Sequence, residues 1–348
     1  MLTKLKFLLF GIFLLFNYQL NFAENIVSTF NGKVIKSDSL TNASYSFISW
    51  GHWYGSIMNL SSILPSSTLL ANINSINKLQ PSFIMGMGDI YRNNDSLSFS
   101  NFQALILNTI TSPIFNAVGN HEMYGRTFYE SHFGKTIYSF KIKGELYIVL
   151  DSEIALCELE GEQLTFLKNK LDSALHDNSI KNVFIFSHKL MWITIDNCME
   201  VFKDINSSYQ CYDDTTFKNQ IYPQLVNLSD KKPVYWLSGD HGFSLFYHKI
   251  KDHNLTFLAC GINDCEEDAY LHFSISNNDQ VSIQAHSFVG KKLMPVENYN
   301  IDYWKNHIYH MNTIAKAQLM LYNKYFWCGI AISLLILLIG ITLLRLRE

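Results

Sequence analysis

The chain has 348 residues, 48% of them hydrophobic and 16% charged, with a formal net charge of -3. That length can bury one large core or two small ones, and the balance of charge excludes a basic tract able to neutralise a nucleic-acid backbone. Of its 27 basic residues, only Arg92, Arg126, Arg345 and Arg347 are arginines, so a site for a phosphorylated substrate must lean on metals or backbone N–H groups.

The chain opens with Lys4 and Lys6, an apolar run from Phe7 to Phe16, and a more polar stretch reaching Ala23. This charge, core and exit order predicts a secretory signal over residues 1–23. Asn21 stands where a small residue is preferred before the cut, which leaves an uncleaved anchor as the alternative. Short apolar runs then predict strands at Tyr45–Trp50, Phe83–Gly88, Ile114–Val118, Tyr147–Leu150, Asn182–Phe186 and Val234–Leu237. Leu164, Leu167, Leu171 and Leu175 repeat on one face of a helix over Glu160–Leu175, and Phe217–Leu228 is a second helical stretch. Alternation of strand and helix predicts a layered α/β body over residues 24–295. From Phe243 the runs "FSLFYHK", "LTFLACG", "YLHFSIS" and "VSIQAHS" predict antiparallel strands of a second sheet.

Residues 296–325 are aromatic and polar and read as a helical stalk. Phe326–Leu344 carries no charge, and as a helix it approaches the width of a bilayer core. The tail at residues 345–348 holds Arg345 and Arg347, and the positive-inside rule places it in the cytoplasm with the main domain on the far side. The two ends together predict an exported, single-pass protein held in the membrane by its C-terminal helix. Six cysteines are compatible with an oxidising compartment. The simplest pairing joins Cys198 to Cys211 and Cys260 to Cys265 and leaves Cys157 free, although spacing does not fix connectivity. N-x-S/T acceptors at Asn42, Asn59, Asn94, Asn206, Asn227 and Asn254 would allow glycosylation.

Ligand-type residues recur directly after predicted strands: "FISWGH", "IMGMGD", "NAVGNHE", "FIFSH" and "YWLSGDH". The carboxyl ends of strands in α/β sheets are where ligands bind. His52, Asp89, Asn120, His188, Asp240 and His241 form a mixed oxygen and nitrogen donor set suited to one or two Fe, Zn or Mn ions, without thiolates. Asp89 is the natural bridge in a two-metal site. His121, beside Glu122, is a candidate acid or transition-state donor whose ring a carboxylate could set.

"MGD", "GNHE", "FSH" and "SGDH" in this order resemble the calcineurin-type metallophosphoesterase superfamily. "FISWGHWYG", "VGNHEMYG" and "YIVLDS" are similar to the small, tartrate-resistant type of purple acid phosphatase. The resemblance implies a four-layer α/β/β/α sandwich with two mixed sheets, a dinuclear centre and hydrolysis of phosphoesters. It implies that Asp89 bridges the metals, that Asn120, His188 and Asp240 serve one and His52 and His241 the other, and that His121 assists the leaving group. The family's metal-binding tyrosine stands three residues after the aspartate; here Arg92 lies at that spacing and Tyr91 one residue before it, and both join Arg126 as candidate substrate contacts.

Two departures bear on activity. The family's leading aspartate is replaced by His52, or by Trp50 if the register is shifted. The closing pair of histidines separated by one residue becomes the adjacent Asp240-His241. Two functions follow from the sequence: an exported, membrane-anchored, metal-dependent phosphohydrolase of a phosphomonoester or related phosphoester, its substrate a phosphorylated small molecule or other phosphoester, or a catalytically impaired relative that acts as a binding or structural protein.

Overall fold

The computed structural model describes residues 25–35, 43–56, 59, 61–123, 125–155, 157–195, 211, 215–240, 246–249, 253–307, 321 and 324–345. The predicted signal at 1–23 lies outside them, as do Cys198 and His241. Two mixed sheets form the body. In the first, strands β3 (Tyr45–Trp50), β4 (Phe83–Gly86) and β5 (Ile114–Asn116) run parallel, and β12 (Ala269–Ile275) and β13 (Val281–Ser287) extend it antiparallel beyond β3. In the second, β7 (Glu145–Val149), β8 (Asn182–Ser187), β9 (Val234–Ser238) and β11 (Leu255–Ala259) run parallel. Its edges are β6 (Tyr138–Ile142) and β10 (Phe246–Lys249), both antiparallel to their neighbours. The short β1 (Ile26–Val27) and β2 (Val34–Ile35) pair apart from both sheets.

Parallel central strands are covered on both faces, so their sequences read as unbroken apolar runs, and every residue of β7 and β8 is buried. Helix Ser67–Leu79 is the crossover from β3 to β4; Ser66 caps it, and Leu69 and Ile76 enter the core. Helices Gly161–His176 and Tyr222–Ser229 pack together against the second sheet, the former through Leu167, Leu171 and Ala174.

Aromatic rings hold the sheets face to face. Phe47 stacks within its own sheet on Phe83 and Phe273, with ring centroids at 4.8 and 4.5 Å. Across the gap it meets Tyr147 at 5.7 Å and Phe184 at 5.4 Å edge-on, the arrangement the ring quadrupoles prefer. Tyr45 closes one end of this core by donating to Glu145 Oε2 at 2.8 Å beside the Tyr147 hydroxyl at 2.7 Å.

Several expectations are corrected. The four late strands are divided between the sheets, because β10 and β11 extend the sheet built on β8 and β9 while β12 and β13 extend the sheet built on β3. Cys211 is bonded to Cys157, not Cys198, and Cys260 and Cys265 are not bonded to each other. Buried Cys260 turns its thiol to the Ala269 carbonyl, and Cys265 turns toward Asp268. Val296, Tyr299 and Trp304 are buried, so the start of the predicted stalk lies against the domain.

The expected membrane span falls in helix Lys324–Arg345. Among the described residues, no helix is long and apolar enough to cross a membrane. This overturns the C-terminal transmembrane helix, the single-pass topology with its cytoplasmic tail, the exported membrane-anchored reading and the membrane as a partner.

The Cys157–Cys211 bond spans a sequence separation of 54. Its closure restricts the unfolded chain, which is worth up to about 4 kcal/mol. Peptide mapping without reduction is expected to recover these two cysteines as one cross-linked species, with Cys260 and Cys265 alkylated after unfolding. A Cys198–Cys211 species would contradict this connectivity.

Candidate metal centre

The parallel strands of both sheets end at one place, and their loops are tied to one another through the backbone. His52 N–H donates to the Gly88 carbonyl at 3.1 Å, and Tyr54 N–H donates to the Asp89 carbonyl at 3.3 Å. Gly239 and Asp240 N–H both donate to the His188 carbonyl, at 3.0 and 2.8 Å. Such close approach explains two motif glycines. A Cβ on Gly88 would stand 2.5 Å from His188 Nδ1, and one on Gly239 would run into the Met87 carbonyl. His52 and Asp89 themselves have positive φ values of 55° and 59°. Left-handed backbone is costly for residues with a side chain and persists where surrounding contacts over-determine it, most often at functional sites.

His52, Asp89 and His188 are buried, and one ligand atom from each lies within 4.8 Å of the others. His52 Nε2 is 3.5 Å from Asp89 Oδ2 and 3.7 Å from Asp240 Oδ1. His188 Nε2 is 3.4 Å from Asp89 Oδ1, 3.8 Å from Asp240 Oδ1 and 3.2 Å from Asn120 Oδ1. The other nitrogen of His188, Nδ1, donates to the Met87 carbonyl at 2.8 Å, which fixes the ring and turns Nε2 toward the carboxylates. Neither ring nitrogen of His52 has a hydrogen-bond partner, although both are buried. An orphaned buried imidazole costs free energy unless something binds it, and these neighbours form a donor set for a cation. The three residues are positioned to chelate one or two divalent or trivalent metal ions. Trp50 stacks on Trp53 in the core at 4.5 Å, so His52 is the residue that the first motif brings to the site.

Burial alone would raise the Asp89 carboxyl, but the imidazoles of His188, His121 and His52 hold it below its ordinary value. Burial opposes ionised Asp240 as well, and there the Lys189 ammonium, with His52 and His188, holds the group well below the usual range. Lys189 was missed in the sequence because it follows a metal-type histidine as an ordinary strand-end residue. Its side chain is 3% exposed, and Nζ lies 3.4 Å from both Asp240 Oδ2 and Asn120 Oδ1. Burial would lower its pKa, yet Asp240, Glu153 and Asp89 raise it above the ordinary lysine value.

His121 sits at the mouth. Its Nε2 is 3.9 Å from Asp89 Oδ2, and Nδ1 donates to the Arg92 carbonyl at 2.6 Å. Glu122 faces elsewhere: its carboxylate accepts the N–H groups of Asp89 at 3.0 Å and Ile90 at 3.1 Å. Burial and the nearby Asp89 charge push the Glu122 carboxyl up to about 8. The guanidinium of Arg92 lies 5.2 Å from the centre of the Tyr54 ring, and that ring stands 5.4 Å from His52 and 4.8 Å from His121. Tyr54 therefore walls the site, a role its motif gave no means of separating from packing. Tyr91 is buried with its hydroxyl on Asn94 Oδ1, and Arg126 is engaged by Asp151 at 2.7 Å and Glu130 at 3.4 Å.

No protein-family model matches the chain, and no curated protein matches it by sequence. Solved structures do. A purple acid phosphatase from yellow lupin (Lupinus luteus) seeds superposes with a TM-score of 0.55 at 10% identity, covering 73% of this chain and 53% of that one. The chain thus spans about half the length of the lupin enzyme. A dimetal phosphatase from Danio rerio matches with a TM-score of 0.49 at 11% identity over 72% of this chain and 99% of that one. The GAP50 anchor of the Plasmodium inner membrane complex matches with 0.48 at 11% identity over 77% and 96%. The likeness to the lupin enzyme is one of fold: the chain has a metallophosphoesterase fold with a candidate metal-binding triad at its strand ends.

Because Glu122 holds the Asp89 turn without touching the cation position, its removal should weaken binding indirectly. Glu122→Ala is expected to lower zinc or manganese affinity by about 10- to 100-fold. It should also destabilise the fold by about 1–3 kcal/mol through the stranded N–H groups, with Glu122→Gln recovering part of both. Calorimetric titration and denaturant unfolding measure the two effects, and an unchanged metal affinity would contradict this role.

Proposed function

We propose that this protein is a metal-dependent phosphoester hydrolase related in activity to the purple acid phosphatases. The observation that carries the reading is the convergence of His52, Asp89 and His188 on a metallophosphoesterase fold, with buried His52 Nε2 aimed at the Asp89 and Asp240 carboxylates. In this reading Asn120 and Asp240 complete the donor set, and His241 is left as a proposed further ligand. The bound ion supplies Lewis acidity, which lowers the pKa of a water and polarises a phosphoryl oxygen.

The protein's own groups do the rest. Asp89 and Asp240 hold negative charge at the strand ends, so a cation is retained where a phosphoester must bind. His121 keeps Nδ1 on the Arg92 carbonyl and leaves Nε2 to hold or accept a proton at the reacting oxygens. Glu122 acts as a positioning residue through the Asp89 and Ile90 N–H groups. Tyr54 and the guanidinium of Arg92 form the wall against which the substrate is oriented, whereas Arg126 is occupied by Asp151 and Glu130. Substrates are phosphoesters whose phosphoryl group would be held by metal and backbone N–H groups, as suits a chain with so few arginines.

A second reading, a metal-loaded binding protein without turnover, draws support from one observation: a buried ammonium, Lys189, stands among the donors. Hydrolysis of a generic phosphomonoester separates the two. The hydrolase reading predicts turnover that a chelator abolishes, that added metal restores, and that falls by about 10³-fold in Asp89→Ala. Metal uptake with no turnover across substrates and pH would leave the binding protein.

A further inference from the structure

We propose that the centre is mononuclear, with the Lys189 ammonium standing where the second cation of a dinuclear site would be. This rests on the reading of His52, Asp89 and His188 as metal ligands, and it decides between the one or two ions that they could chelate. His52 Nε2 and His188 Nε2 both face Asp240 Oδ1, at 3.7 and 3.8 Å, and each also meets one oxygen of Asp89, Oδ2 at 3.5 Å and Oδ1 at 3.4 Å respectively. Ligands about 2.1 Å from a zinc-like ion stand about 3.4 Å apart in a tetrahedral arrangement, and the shared Asp240 Oδ1 gives the two imidazoles one common position for an ion. A second ion about 3.5–4 Å away would need donors of its own. Among the described residues, Asn120 Oδ1 and the outer oxygen of Asp240, Oδ2, are the atoms suited to that task, and each lies 3.4 Å from Lys189 Nζ.

Lys189 is built into this position. Its N–H donates to Ser152 Oγ at 3.0 Å, and its carbonyl accepts from Ser187 Oγ at 2.8 Å and Ser238 Oγ at 3.1 Å. The 3% exposure of its side chain leaves no route to solvent without rebuilding the loop. A second metal would therefore meet a fixed positive charge already paired with its ligands. His52 fits the same picture. Where the resemblance assigns it to a different metal from His188, the two rings stand 5.9 Å apart, centre to centre, and both face the same oxygen, Asp240 Oδ1. Lys189 is thus a positioning residue: it fixes Asn120 and Asp240 and sets the number of ions the site accepts.

Titration of the full chain with Mn²⁺, followed by metal analysis and electron paramagnetic resonance, tests this directly. One equivalent with the spectrum of an isolated ion is expected. Lys189→Met keeps the length of the side chain but not its charge, and should gain a second equivalent with the exchange-coupled spectrum of a close pair. Two coupled ions in the unaltered protein would overturn the inference while leaving the metal centre intact. No bound manganese or zinc would overturn the metal reading itself, and the inference with it. A Lys189→Met protein that folds and still binds a single ion would remove the role given to Lys189; if that variant does not fold, the spectrum of the unaltered protein decides alone.

Discussion

Asp89 and Asp240 are buried as anions at the ends of parallel strands from two different sheets, and the surrounding structure answers that charge. Burial works against both carboxylates, and each also disfavours ionisation of the other or of its neighbours. Three imidazoles and one ammonium hold them ionised in spite of this. The fixed cation, Lys189, reaches Asp240 Oδ2, while His52 and His188 each turn Nε2 toward Asp240 Oδ1. Together they bring carboxylate oxygens and imidazole nitrogens within reach of one another, a donor set suited to a metal ion.

Such a cluster is possible only because the backbone permits it. Loops that carry ligands from opposite sheets must approach within contact distance, and glycines at Gly88 and Gly239 allow this where any Cβ would collide. His52 and Asp89 adopt left-handed backbone that the neighbouring Gly88 carbonyl and the Glu122 carboxylate hold in place. The aromatic core around Phe47 and the Tyr45–Glu145–Tyr147 bonds set how the two sheets meet, and so set the spacing at their carboxyl ends. Stability and site geometry are therefore linked through the same packing.

Much of this was legible in the sequence for a physical reason. Strands buried on both faces read as unbroken apolar runs, so β3, β8 and β9 were placed to within a residue at each end, and the ligand-type residues after them followed directly. Short-range information did not extend to partners distant along the chain. The alternation in the late strands foretold strands but not their division between sheets, because register and neighbour are set by packing. Cysteine spacing suggested Cys198 with Cys211, whereas the fold brings Cys157 to Cys211 from beyond the helix Gly161–His176. Glu122 looked like the partner of its neighbour His121, but on the short helix Asn120–Met123 it turns to the Asp89 loop. Lys189 carried no motif at all, since its meaning lies in being within reach of Asn120 and Asp240. The apolar segment near the C-terminus did form a helix, yet among the described residues no helix is long and apolar enough to cross a membrane.

The central claim is that His52, Asp89 and His188 share a metal ion. Anomalous diffraction from crystals soaked in manganese or zinc tests it most directly. The account predicts a strong anomalous peak bounded by His52 Nε2, the Asp89 carboxylate and His188 Nε2. Well-diffracting crystals with no peak there, or with the metal only at surface carboxylates, would contradict it.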